Sequence, residues 1–320
     1  MSVVGSCEIL ASPEGRTEVI AVIESRIIEL PSGIRLSCRE AGQANRPLLL
    51  FLHGFPEAAF VWDELMLHFG GRYHCVAPNL RGYERSSAPA EVEAYRAKHL
   101  VADVAALIDR LGGHVEALVA HDWGGAVAWN LAVQQPQRLH HLVIINSPHP
   151  AIFLRGLQHD PEQQAASAYM NFLCRPDAEA LLAENDFARL WPFFTNMGAA
   201  DPSRVGGGWL TQAVRNQYRE VWNAGLRGGC NYYRASPLRP PTARDSAVMS
   251  IRFAPEAVTV RVPTLVLWAE NDIALPNSLL DGLDTFVPQM RLVRLANATH
   301  WVIHERPATI AAEIERELTG

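Results

Sequence analysis

Near the middle of the chain, Ala117-Leu-Val-Ala-His-Asp-Trp-Gly-Gly-Ala-Val-Ala-Trp129 reads as a strand, a sharp turn and a helix. A small residue, any residue, a nucleophile, any residue and glycine at such a turn put the central side chain on a strained backbone, exposed at the end of the strand. The central residue is Asp122, a carboxylate where serine is more usual. Serine attacking an sp³ carbon would give an ether, which is a dead end. A carboxylate gives an alkyl ester, which water can cleave at its carbonyl to release an alcohol. Asp122 therefore points to ring opening or displacement at a saturated carbon. Aspartate is also a favoured helix N-cap, and the position suits that use too.

Ester cleavage needs a base for water and donors for the oxyanion. His300 follows the last apolar run, in Asn297-Ala-Thr-His-Trp301. Asp272 lies just past the run that ends at Trp268, in Glu270-Asn-Asp-Ile-Ala-Leu275. We read His300 as the base and Asp272 as the acid that holds its tautomer and charge. Glu270 is the rival acid and His304 the rival base, although His304 reads more simply as the start of the final helix. His121 and the other histidines read as hydrogen-bonded structural groups. His53-Gly54-Phe55-Pro56 closes a long apolar run. A loop of this kind supplies one oxyanion N–H and the residue after the nucleophile the other, which assigns Phe55 and Trp123. The same segment also reads as a tight turn with a cis proline.

These residues need a scaffold. Arg26–Leu30 and Ile34–Arg39, around Ser32-Gly33, predict a β-hairpin. Strand-length apolar runs follow at 47–53, 74–77, 117–120, 142–145, 263–268 and 291–295. Near-continuous apolar runs suit parallel strands covered on both faces. Helix patterns lie between them at 95–111, 123–135 and 308–318, and this alternation predicts an α/β fold with a mostly parallel, doubly wound sheet. The rhythm breaks between about Pro148 and Arg252, where 178–186 and 211–224 look helical and Gly206–Gly208 and Pro237–Pro241 look like loops. An insertion at the carboxyl edge of the sheet would cover the site as a helical lid. The expected division is an N-terminal extension at 1–22, a core at 23–147 and 253–320, and a cap at 148–252.

Taken together, HGFPE, HDWGG, the END acid loop and the THW histidine resemble the α/β-hydrolase-fold epoxide hydrolases over residues 26 to 318. The order Asp, Asp, His matches the nucleophile–acid–histidine order of that fold. The resemblance implies conversion of an epoxide to a vicinal diol, with water as co-substrate and no metal or organic cofactor. It also implies two lid tyrosines on the epoxide oxygen. One match is Tyr169, seven residues before Pro176 and the Asp-Ala-Glu-Ala run. The other is Tyr233 in Asn231-Tyr-Tyr-Arg234, with Tyr232 as the fallback. Two phenols can hydrogen-bond and protonate a poor alkoxide leaving group. The plainer reading of each is an amphipathic lid residue with its hydroxyl satisfied locally. His53, Pro56, Phe172, Trp191 and Phe194 are the expected substrate-binding residues.

The alternatives with the same nucleophile are haloalkane and haloacid dehalogenases. Haloalkane dehalogenases pair the Trp after the nucleophile with a second halide donor, and Phe55 offers none; Trp191 or Trp209 could. Fluoroacetate dehalogenases carry arginines after the nucleophile, where this chain has Gly125-Ala-Val-Ala-Trp129. Gly82-Tyr-Glu-Arg-Ser86 departs from the resemblance, which favours glycine in place of Glu84. A binding protein on a hydrolase scaffold is the non-enzymatic alternative.

Composition sets the outer limits. The 320 residues are 48% hydrophobic, enough for a large core, and the net charge is −6. No basic stripe suggests nucleic acid. The five cysteines are scattered without a CxxC, and no apolar run reaches membrane-spanning length. Met1–Arg16 lacks the pattern of a secretory signal, so a cytoplasmic location is expected. Monomer and homodimer both stay open.

Overall fold

The computed structural model describes residues 9–11, 17–19 and 22–319. The expected extension at 1–22 therefore falls almost wholly outside them, apart from a short antiparallel pair, β1 (Ile9–Ala11) and β2 (Thr17–Val19). The main sheet has eight strands: β3 (Glu24–Glu29), β4 (Arg35–Ala41), β5 (Leu48–Leu52), β6 (His74–Pro78), β7 (Val115–His121), β8 (Leu139–Ile145), β9 (Thr264–Ala269) and β10 (Met290–Leu295). Their order is β10-β9-β8-β7-β5-β6-β4-β3. The predicted hairpin is β3–β4, an antiparallel pair; β4 also pairs antiparallel with β6, and every other pairing of this sheet is parallel. All side chains of β5, β6 and β9 are buried, as the apolar runs require. At the edge, β10 is mostly half-buried, and its Arg291 and Arg294 reach carboxylates on Glu313, Glu317 and Glu270.

Helices α1 (Asp63–Phe69), α2 (Ala97–Arg110) and α3 (Asp122–Gln134) connect the first parallel strands. The pattern at 95–111 begins two residues late as an α-helix, because Val92–Tyr95 is a 3₁₀ turn and Arg96 is extended. Between β8 and β9 come α4 (Pro150–His159), α5 (Pro161–Ala166), α6 (Tyr169–Leu173), α7 (Ala178–Phe187), α8 (Trp191–Thr195), α9 (Gln212–Asn223) and α10 (Arg227–Ala235). The helix read at 178–186 breaks at its end. Asn185 and Asp186 are left-handed (φ 52° and 56°), residue types that tolerate that region, and Arg219 clamps the Asp186 carboxylate there. Helices α11 (Val302–Glu305) and α12 (Pro307–Thr319) close the chain.

Two glycines fix how these layers approach. A Cβ on Gly124 would lie 2.3 Å from the Leu52 carbonyl oxygen and 2.7 Å from that of His53, so only glycine lets α3 start against β5. A Cβ on Gly228 would lie 2.1 Å from the Gly82 carbonyl oxygen, where α10 of the insertion presses on a core loop. In that loop Glu84 is left-handed (φ 50°), which explains why glycine would suit the position. Its carboxylate accepts from the Arg85 N–H (2.8 Å) and the Asn79 amide (3.1 Å), which offsets the strain.

Gly124→Ala must push α3 off two carbonyls that cannot move away. Overpacking of this kind costs about 3 kcal/mol, so Tm, read by calorimetry, should fall by about 5 °C or more.

Candidate active site

Asp122 sits at the carboxyl end of β7 with a left-handed backbone, φ 48°. Its carboxylate is not the cap of α3, because Asp122 is already the first helical residue and His121 holds the N-cap position. Instead Oδ1 accepts the Phe55 N–H at 2.7 Å. Trp123, the other expected oxyanion donor, lies in the first turn of α3, where N–H groups have no acceptor within the helix. The Asp122 main-chain oxygen accepts from the Ser147 hydroxyl at 2.7 Å, which ties the turn to the segment after β8. A Cβ on Gly54 would collide with the Asp122 side chain at 2.3 Å, so the loop after β5 can reach the carboxylate only because Gly54 has none.

His300 Nε2 lies 3.8 Å from Asp122 Oδ2, too far for a direct hydrogen bond. Its Nδ1 lies 2.6 Å from Asp272 Oδ2. Burial opposes the charge on Asp272, but His300, Asn146 and the Ala274 N–H outweigh it and keep the carboxyl below the usual carboxylate range. Burial likewise opposes an imidazolium at His300. The negative charges of Asp272 and Asp122 overcome it and raise His300 from 6.5 to about 9. His300, the expected base, is thus made strongly basic by the carboxylates beside it.

Two cavities meet at this point. The larger, about 390 Å³, runs between α3, α2 and the insertion, past Trp123, Val133, Phe153, Met170 and Leu275. The smaller, about 230 Å³, is walled by Phe55, Ala166, Phe193, Met197, Ile273 and His300. Asp122, Tyr169 and Tyr233 line both. Burial, then the charge of Asp122, pushes the Tyr169 phenol upward. Burial, Tyr169 and Asp122 hold Tyr233 well above its ordinary value. Both phenols keep their protons and can donate them. The Tyr233 ring packs edge-on to Phe55 (5.3 Å) and Trp123 (5.1 Å).

A family model described as alpha/beta hydrolase fold matches residues 47–307. Epoxide hydrolase 4 of Mus musculus is 32% identical over 280 residues, covering 86% of this chain and 74% of that protein. A crystal structure of Bacillus megaterium epoxide hydrolase with an inhibitor superposes with a TM-score of 0.83 at 29% identity, covering 92% of this chain and all of the other. A structure from a study of epoxide hydrolases in metagenomes from hot environments gives 0.81 at 36% identity, covering 93% and 99%. The chain belongs to the α/β-hydrolase fold family.

Within this α/β-hydrolase frame several sequence expectations need correction. His53 does not face the cavities. It is fully buried, its Nδ1 lies 2.9 Å from the Gly54 carbonyl, and its Nε2 accepts from the Leu80 N–H at 3.0 Å. That burial holds it down to about 4, neutral and structural. Pro56, which follows a cis peptide bond, gives its carbonyl to Trp222 Nε1. Phe194 is buried in the main hydrophobic core, and the partly buried Phe172 packs against it. Trp191 donates to the Asp186 carbonyl and stacks under Arg215 and Arg219. None of the five lines either cavity; Phe193 and Met197 do so instead. On a short helix such as α8, one residue of register decides which aromatic faces in, and sequence pattern does not resolve that.

The rivals are otherwise engaged. Glu270 pairs with Arg294 at the surface. Tyr232 also lines the larger cavity, but its hydroxyl is spent on the Arg81 carbonyl at 3.0 Å. His304 lies on Glu57 and Tyr218 and stacks on Trp209. Glu57 was not singled out by the sequence, although it stands in HGFPE. It is fully buried, with His121 and His304 each 3.1 Å from a carboxylate oxygen and the Tyr218 hydroxyl donating at 3.1 Å. His121 in turn lies 2.9 Å from the His300 carbonyl oxygen. Asn146 was also missed; a lone Asn after an apolar run carries no signal by itself.

If Asp122 helps to raise His300, Asp122→Asn should lower the His300 titration midpoint by about one pH unit. The NMR titration of His300 against the wild type checks this.

Proposed function

We propose that the protein is an epoxide hydrolase that works through an ester on Asp122. The observation that supports it most strongly is the bare carboxylate of Asp122, sharing both cavities with two protonated phenols and lying opposite His300. A carboxylate oxygen of Asp122 bonds to one epoxide carbon as the C–O bond to the ring oxygen breaks. Tyr169 or Tyr233 gives that oxygen a proton. In the second step His300 Nε2 takes a proton from water as the water oxygen attacks the ester carbonyl. The Phe55 and Trp123 N–H groups hold the oxyanion. As the ester C–O bond breaks, His300 gives that proton to the leaving alkoxide oxygen, the regenerated carboxyl returns a proton to the phenolate, and the Asp122 carboxylate and the diol are left.

Esterification changes the electrostatics in a useful direction. It removes the Asp122 charge, so His300 loses one of the two carboxylates that make it strongly basic and can cycle its proton more readily near neutral pH. Among the described residues, no Lys or Arg lines either cavity, and most of the wall is apolar. The substrate read from this is a small, neutral, apolar epoxide. Two features weigh against a dehalogenase: Trp191 and Trp209 do not reach the cavities, and the loop position opposite Trp123 is Phe55. Cys38, Cys75, Cys174 and Cys230 are free thiols, which suits a cytoplasmic place of work.

The test is trapping. His300→Gln incubated with styrene oxide should accumulate a covalent adduct on the peptide carrying Asp122, seen by mass spectrometry, while Asp122→Asn should form none. Wild type that turns over styrene oxide without any such adduct in His300→Gln would defeat the scheme. A panel of terminal, aryl and internal epoxides beside haloalkanes and haloacetates, scored for diol and halide, should yield diol alone.

A further inference from the structure

Asn146 is fully buried at the carboxyl end of β8, with a left-handed backbone of φ 39°. Its main-chain N–H still donates to the Leu267 carbonyl at 3.1 Å, so it ends the β8–β9 ladder. The side-chain amide then extends that ladder by one more pairing. Oδ1 accepts the Ala269 N–H at 2.8 Å, and Nδ2 lies 3.4 Å from the Ala269 carbonyl oxygen. Nδ2 also donates to Asp272 Oδ2 at 2.9 Å. These partners fix which end of the amide is which. Exchanged, an NH₂ would face the Ala269 N–H, and a carbonyl oxygen would face a carboxylate.

Asp272 Oδ2 is the oxygen paired with His300 Nδ1, whereas Oδ1 accepts the N–H groups of Ala274 (2.8 Å) and Leu275 (3.1 Å). The carboxylate is thus held on one side by its own loop and on the other by His300 and Asn146 together. We propose that Asn146 is a positioning residue: it locks the Asp272 carboxylate to the end of the sheet and so holds His300 in register for the water step. This assignment rests on the epoxide-hydrolase reading for its kinetic consequence, but its geometric content does not.

The amide has a second effect. A donor on Oδ2 withdraws part of the charge that would otherwise stabilise the His300 imidazolium. Other titratable groups around His300 are Asp122 on α3, Glu57 and His121 behind it, and the Tyr169 and Tyr233 phenols across the cavity. None of them touches Oδ2 among the described contacts, so a change at residue 146 acts through Asp272. Removing the donor makes Asp272 the stronger partner of an imidazolium. The His300 midpoint therefore moves up, and the acidic limb of the hydrolysis rate moves to higher pH.

The experiment compares wild type, Asn146→Ala and the isosteric Asn146→Asp in the full-length protein. The His300 ring resonances are titrated by NMR, and single-turnover kinetics with styrene oxide separate ester formation from its hydrolysis. In Asn146→Ala, ester formation should stay within about twofold, and hydrolysis should slow on the order of tenfold, the scale of one lost charge-assisted hydrogen bond. The His300 midpoint should rise in Asn146→Ala, and also in Asn146→Asp, where the facing carboxyls share a proton at low pH but add negative charge beside His300 once both ionise. An unmoved His300 midpoint in the folded variants overturns the proposal. So does parallel slowing of both steps with loss of Tm, which is what a merely structural role predicts. Asn146→Asp, equal in size, decides the matter if the alanine variant does not fold. The NMR readout needs no substrate, so wild type that forms no ester with styrene oxide counts against the epoxide reading alone.

Discussion

A single carboxylate is stripped of most of its partners and lies against two largely apolar cavities, and the structure around it is arranged to hold it there. Asp122 keeps one firm hydrogen bond, from the Phe55 N–H. Its left-handed turn is tolerated because the strand before it and the helix after it are packed too tightly to let it relax. The absent side chains of Gly54 and Gly124 are as necessary as the carboxylate itself, since a methyl group at either place would occupy the space of Asp122 or of the β5 main chain. The parallel sheet supplies the stiffness that makes such an arrangement affordable.

The second constraint is electrostatic. A buried carboxylate, Asp272, and a partly exposed one, Asp122, flank one buried imidazole, and without compensation neither buried group would hold its charge. Asp272 is compensated by four donors, two from its own loop, one from Asn146 and one from His300. Asp122 is left nearly free. This asymmetry separates the roles proposed for them: a fully satisfied carboxylate orients, and a poorly satisfied one attacks. Behind His300, the fully buried Glu57 joins the core histidines His121 and His304 to Tyr218 of α9. A charge network thus stitches the helical insertion to the sheet directly beneath the imidazole.

The insertion shapes the space. Tyr169 on α6 and Tyr233 on α10 come from helices separated by some sixty residues of chain, yet both face Asp122. Gly228 lets α10 sit hard against the Gly82 loop, which brings Tyr233 down to Phe55 and Trp123. Phe193 packs edge-on to Phe55 and Tyr169 and so sets the width of the smaller cavity.

Much of this was legible in the sequence because it depends on local chemistry. The strand runs, the turn at Asp122 and the Asp272–His300 order reflect residue types that each local backbone and reaction step demand. Lid tyrosines could be matched because they sit in recognisable segments. What stayed illegible depends on which way a side chain points after packing. The sequence could not show that His53 faces Leu80, that Phe193 rather than Phe194 faces the cavity, or that Glu57 and Asn146 stand behind the histidine and its acid. Those assignments involve partners tens to hundreds of residues away. The sequence by itself determined the proposed nucleophile, its proposed base and the sheet that carries them; the tertiary structure alone decided the walls of the cavities and the buried donors, because burial and hydrogen-bond partnership are properties of the packed chain and not of any segment of it.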